Sequence, residues 1–433
     1  MNETYPVIII GAGSAGIGAC LSLKYKNIHS IILESTSCIG GRIKQVKLTK
    51  NLINESCNNY VMVDIGANWL HEMTADNIFY TLAKRMNLKL YKTSSDNNPS
   101  DDIILYDKNI QLDNLQYKEY INILNIIKQN YKKYNNISIL EALQKISNKL
   151  KLSDKFKRFL NWYFDRISID LNYPISKLDS SLFYGNKHSD GINGECLIEG
   201  GFFQLIEKIS KNIDIKYNHK VIEIYFIKNK TYIKCENNLI YKCYKCILTV
   251  PISILKTIIF KPIEPIHITQ ITNKYDLGLM NIIWIWYPTC FWNEIKNKNF
   301  IGITRELNDD HPTFTIFLIP KIYDNYGVKQ NILMCQTYGK FALDIETMTN
   351  KEIATMATDC LRKIFKDVPD AVGCICSKWN KDIGGSWSYI KNINISVLKQ
   401  TKIFYTGEAL SDNFRGTVHG AFIEGCKCVN KYF

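Results

Sequence analysis

The chain has 433 residues, 46% of them hydrophobic and 22% charged, which excludes a disordered or fibrous polypeptide and allows two or three domains or one large discontinuous architecture. A surplus of 54 basic over 41 acidic residues gives a net charge of +13. The lysines are scattered rather than gathered on one predicted face, so the charge does not point to a nucleic-acid partner. There is no run of about 18 apolar residues and no basic leader with a cleavage site, so the expectation is a soluble, unexported, cytoplasmic protein with no membrane partner. The 14 cysteines then read as reduced thiols. Cys243 and Cys246 form a Cys-x-x-Cys without a second pair or nearby histidines, so no metal site is expected.

The first element is a buried strand, Val7 to Ile10, that turns through Gly11 into a helix holding Gly13, Ser14 and Gly16 at its start. Helix-start amides and the helix dipole suit a pyrophosphate, and glycine lets the backbone approach it. Glu34 closes a second strand about 20 residues later, where an acid can accept hydrogens from an adenosine ribose. Strand, turn, helix and acid together make this a site for an ADP-containing dinucleotide. Gly40, Gly41 and Arg42 follow, a glycine pair that lets the loop pass close to a ring system and a guanidinium that can pair with the same pyrophosphate. Next comes a segment with Asp64, Gly66, Ala67, Asn68, Trp69 and His71.

Helical periodicity covers 76–90 and 117–163, and residues 93–100 read as a polar loop. Gly200 and Gly201 open a helix, 219–224 read as a strand, and 247–256 contain Val250 and Pro251 in a strand and turn. The composition of 274–288 and 312–338 suggests a sheet. Thr349 and Glu352 form a capping box that starts a helix reaching Ile364. Trp379, Trp387 and the run from Tyr405 through Gly407 and Glu408 to Thr417, Val418 and His419 follow.

In this order the motifs resemble those of the flavin-dependent amine oxidases, with the soluble polyamine oxidases nearest in layout. The resemblance implies an α/β fold, an FAD-binding Rossmann-like domain with an inserted α+β substrate domain. The expected division is 1–80, 192–262 and 398–433 for FAD, and 81–191 and 263–397 for substrate. It implies noncovalent FAD held by Gly11, Gly13, Ser14, Gly16, Glu34, Gly41, Arg42, Gly66, Ala67, Asn68, Trp69, Val221, Val250, Trp379, Gly407, Glu408, Thr417 and Val418. It also implies hydride transfer from a small-molecule amine to the flavin, with imine hydrolysis and reoxidation by O2 to H2O2. Trp387 matches one wall of the family's aromatic sandwich and Thr417 the facing wall, where a small residue leaves half the sandwich. The alternative for Trp387 is a core tryptophan. His71 matches the position of a residue near the substrate nitrogens, with a loop-capping histidine as the alternative.

Two positions depart from the pattern. The family lysine that reaches the flavin N5 through water falls on Ile282, which offers no hydrogen bond and no proton. Ser386 stands where monoamine oxidases carry the cysteine that binds FAD covalently. With no long helical insertion as in the histone demethylases and no membrane helix before Phe433, a compact polyamine oxidase is expected, or a catalytically impaired FAD-binding protein with a structural or binding role.

Overall fold

The computed structural model describes residues 3–51, 60–93, 102–131, 137–149, 152–171, 194–295, 298–305, 314–323, 331–391, 395–397 and 402–433. Most of the expected polar loop at 93–100 and the expected borders at 191/192 and 397/398 lie outside or at the edge of these residues.

The buried strand Thr4–Ile10 sits at the centre of an eight-stranded sheet, pairing in parallel with Ser30–Leu33 on one side and Ile240–Leu248 on the other. Its apolar residues divide by the period of the strand. Ile8 and Ile10 enter one core with Leu248 and Leu255, whereas Val7 and Ile9 enter the other with Ile17 and Phe422. Ile403–Tyr405 joins the far edge of Ile240–Leu248 in parallel, so segments from both ends of the sequence and from its middle build this one sheet. Two helices cover one face together. Ser14–Tyr25 and Val418–Tyr432 cross so closely that a Cβ at Gly425 would lie 2.1 Å from the Ala15 carbonyl oxygen.

The second large sheet has seven strands in the order Gly373–Cys376, Met280–Trp286, Ile332–Tyr338, Ile316–Leu318, Phe300–Ile303, Ile103–Asp107 and Ile110–Gln111. Met280–Trp286 is buried at every residue. One face packs on the helix Asn350–Arg362 through Ile353, Ala357 and Leu361, and the helix begins with the expected Thr349–Glu352 capping box, both reciprocal bonds formed. The periodicity of 117–163 resolves into helices Asn114–Tyr131, Ile139–Lys149 and Asp154–Leu171. Arg158 forks onto Asp107 at 2.7 and 2.8 Å, tying the last of these to the sheet.

A three-stranded sheet joins the two halves, with Glu195–Ile198 between Trp69–His71 and Leu90–Lys92. The helix Ile78–Arg85 spans the expected domain border at 80/81, and its Phe79 and Ala83 share a core with Ile17 and Phe202.

Candidate active site

Around the first turn the backbone leaves a cradle that only glycine permits. Gly11 has φ +105°, and a Cβ on Gly16 would lie 2.0 Å from the Gly11 carbonyl oxygen. Gly13 caps the helix without any side-chain hydrogen bond, so the first-turn amides have no capping partner. That unsatisfied set of donors fits a pyrophosphate. Gly40 docks beside the turn, its N–H donating to the Ala12 carbonyl at 2.9 Å, and Gly41 lies next to the Gly13 backbone. Glu34 is buried, accepting from Ala12 N at 2.8 Å and Thr36 N at 2.9 Å. These bonds hold its carboxylate at the end of the second strand, against the turn.

A second cluster centres on the buried Glu408. Its carboxylate accepts from Arg42 Nη1 at 2.8 Å, Ser388 Oγ at 2.6 Å and Gly416 N at 3.1 Å. The same Arg42 nitrogen donates to the Ser386 carbonyl at 2.8 Å. Arg42, expected at the pyrophosphate, is therefore bonded into one network with Glu408 and Gly416, which lead into the closing helix. Gly66 and Ala67 attach to it through Arg42, since Ala67 N donates to the Arg42 carbonyl at 3.0 Å and a Cβ on Gly66 would meet that same oxygen. Trp379 donates its indole N–H to the Ile65 carbonyl at 3.1 Å, and Tyr405 donates its hydroxyl to the Val250 carbonyl at 3.1 Å. Gly407 has φ +150° and precedes Glu408 directly. Val221 stands apart from this network, buried at the start of Val221–Ile227.

Ser14 and Thr417, also expected at the cofactor, likewise use their side chains within the protein. Ser14 Oγ donates to the Val418 carbonyl at 2.8 Å, linking the two crossed helices. Thr417 is the N-cap of the closing helix, accepting from Gly420 N at 3.0 Å and donating to the Phe414 carbonyl at 2.8 Å. Trp387 lies beside it, with the backbone of Gly416 under its indole, where a Cβ would be 2.7 Å from Cδ1. Trp69 and Trp387 pack against an apolar cluster that includes Ile282, Leu197 and Met334. Ile282 is 2% exposed. Asn68 donates to the Met334 sulfur at 3.2 Å.

His71 lies on the joining sheet directly opposite Glu195, with Nδ1 at 2.6 Å from the Glu195 carboxylate. Burial works to raise the Glu195 carboxyl, but the charge and hydrogen bond of His71 and the charge of Arg166 outweigh it and leave it below the ordinary range. Nothing near Glu195 in the sequence marks it. Only the strand pairing brings it to His71. His419, the second residue of the closing helix, is 3% exposed and its Nε2 has no hydrogen-bond partner. Burial, with the charge of His71, pushes it down to about 4. Among the described residues no group of three or more His, Cys, Asp or Glu is arranged to hold a metal ion. Nor is any helix among them long and apolar enough to cross a membrane.

The family model for flavin containing amine oxidoreductases matches residues 14–431. The chain belongs to this family. Relatives of this amine oxidoreductase include polyamine oxidase 2 of Arabidopsis thaliana, 26% identical over 97% of the chain and 86% of the relative. Polyamine oxidase 4 of Oryza sativa subsp. japonica is 24% identical over the same shares. In structure the chain is similar to a putrescine oxidase double mutant redesigned in its cofactor binding, with a TM-score of 0.74 at 14% identity, covering 99% of each chain. The amine oxidoreductase thus has an α/β fold with a Rossmann-like FAD-binding part and a second, substrate part, and its cofactor is FAD.

Proposed function

We propose that the chain is a polyamine oxidase acting on spermine, spermidine or their acetylated forms, with O2 as electron acceptor. The observation that carries this reading is the His71–Glu195 pair at 2.6 Å, with His71 on the strand that also holds Trp69, which flanks an apolar cluster together with Trp387. An amine must lose its proton before its carbon can give up a hydride, and apolar walls disfavour the ammonium form. His71 takes that proton, and Trp387 supplies the wall.

FAD, when bound, supplies the hydride acceptor. The first-turn amides around Gly11, Gly13, Ser14 and Gly16, with Arg42, hold the pyrophosphate, and Glu34 takes the ribose hydroxyls. Gly41, Gly66, Ala67, Asn68, Trp69, Val250, Trp379, Gly407 and Glu408 shape the rest of the cleft, and Val221 lies toward the adenine end. The start of the closing helix, Thr417 and Val418, directs positive partial charge at the cofactor. Ser386 offers no thiol, so attachment is noncovalent. The FAD-binding part extends through the joining sheet to about residue 93, since Ile78–Arg85 packs in its core.

The test is the visible spectrum of the purified holoprotein, recorded anaerobically before and after spermine, spermidine and N-acetylspermine. Bleaching by one of them is expected. A spectrum that stays oxidised with all three refutes the polyamine reading.

One observation favours a second reading, a flavoprotein with impaired turnover. Ile282 is sealed in an apolar cluster, and its own side chain has no proton to give for flavin reoxidation. On that reading Ile282→Lys speeds reoxidation of the reduced protein by O2 in stopped flow. An unchanged rate would show that Ile282 is not the limiting feature.

A further inference from the structure

We propose that Glu195 is a positioning residue that sets the tautomer of His71, holding the ring proton on Nδ1 and presenting Nε2 to the substrate nitrogen as the proton acceptor. This rests on the amine-oxidation reading of the same site.

The geometry has three parts. The pair is fixed by backbone, since His71 and Glu195 face each other across an antiparallel ladder. Both strands are pinned beyond it, by Asn77 Nδ2 donating to the His71 carbonyl at 2.6 Å and by Thr93 N donating to the Glu195 carbonyl at 2.9 Å. The contact is made at Nδ1, 2.6 Å from a carboxylate oxygen that only accepts when ionised. A neutral imidazole carries one proton, so a proton held at Nδ1 makes Nε2 its only acceptor.

The charges around the ring favour this arrangement. The facing strand supplies the Glu195 carboxylate, and Arg166 on Asp154–Leu171 helps to keep that carboxylate ionised. The closing helix supplies His419, which burial keeps neutral above about pH 4. The next residue in the chain, Glu72, is a buried acid. When a substrate ammonium arrives, its N–H bond breaks and the proton passes to Nε2. The amine keeps the electron pair, and His71 becomes an imidazolium balanced by the carboxylate beside it. Hydride loss then proceeds from a neutral amine.

The variant is Glu195→Gln, whose amide can either accept from or donate to Nδ1 and so no longer fixes the tautomer. The direct measurement is the 15N spectrum of histidine-labelled holoprotein at about pH 9, where a histidine of ordinary pKa is neutral, with His71 assigned by its loss in His71→Asn. The wild type is expected to show a protonated Nδ1 and an unprotonated Nε2, and the glutamine variant a mixture of the two tautomers. A wild-type ring with the proton on Nε2 overturns the proposal, whether or not any amine is oxidised.

In anaerobic reduction by spermine, Glu195→Gln is expected to slow the limiting rate about tenfold, the low end of the range for losing the hydrogen-bond partner of a metal-bound histidine. Combined with His71→Asn, it should add nothing. A further loss in the double variant would mean that Glu195 acts on the substrate directly, and would also overturn the proposal. Failure of every amine to reduce the flavin would count against the function, while the tautomer result would still decide the role of Glu195.

Discussion

At the scale of single residues, two buried ionisable groups pull stability in opposite directions with pH. Burial pushes the Asp64 carboxyl from 3.8 up to about 7, against hydrogen bonds from Phe202 N and the Gln45 side chain. A carboxyl whose folded pKa is raised stabilises most below its unfolded value, and that contribution is lost as pH rises through 7. A shift of about 3 units corresponds to about 4 kcal/mol. His419 runs the other way, from 6.5 down to about 4. Its contribution is present above 6.5 and lost as pH falls through 4, about 3 kcal/mol in all. Between pH 4 and 6.5 the two slopes largely cancel. Asp64→Asn should therefore leave a protein whose denaturation midpoint rises with pH across that window, and His419→Leu one whose midpoint falls. Urea titrations at several pH values test both, and a flat profile in either variant would sink the assignment. Asp64 and His419 both stand in segments that the sequence marks as motifs, yet neither property is legible there. Burial is set by what packs around a residue, Gly201 and Phe202 over Asp64 and Phe414 against His419, and those neighbours are far off in sequence or on another turn.

At the scale of elements, legibility followed locality. The first strand, turn and helix, the capping box at Thr349 and the start of the closing helix are specified by residues within one or two turns, and each is found where its pattern stands. The joining sheet is different. Trp69–His71 and Leu90–Lys92 are three residues each, too short to carry a period, and they exist because Glu195–Ile198 lies between them. The helix Ile78–Arg85 was expected, but its packing placed it across the anticipated domain border, because its apolar face meets Phe202 and Phe422. The crossed helices give the clearest element-scale prediction. Gly425→Ala places a methyl against the Ala15 carbonyl, and overpacking of this kind costs about 1–3 kcal/mol. The variant should melt several degrees lower and hold FAD more weakly, both read by following flavin fluorescence on heating. An unchanged melt would mean the helices separate without penalty.

For the molecule as a whole, composition bounded the answer loosely and the motif order bounded it tightly. A charge of +13 says nothing of a fold with one sheet for the cofactor and another beside it. The spacing of glycines, acids and tryptophans from Gly11 to Val418 does, because each marks where backbone must approach a flat or charged group. The His71–Glu195 pair was only half visible, His71 through its motif and Glu195 through strand pairing alone.

The crossed helices also set a timetable for synthesis. The cradle at Gly11 is made well before Ile240–Leu248 and Ile403–Tyr405, which complete its sheet, and before Val418–Tyr432, which packs on its helix. The turn is therefore made long before its sheet is complete, and until then Val7 and Ile9 are covered by Ile17 and Leu23 but lack Ile247 and Phe422. A nascent chain stalled before residue 418 should bind no FAD and should recruit chaperones, whereas release of the remaining helix should trigger flavin capture.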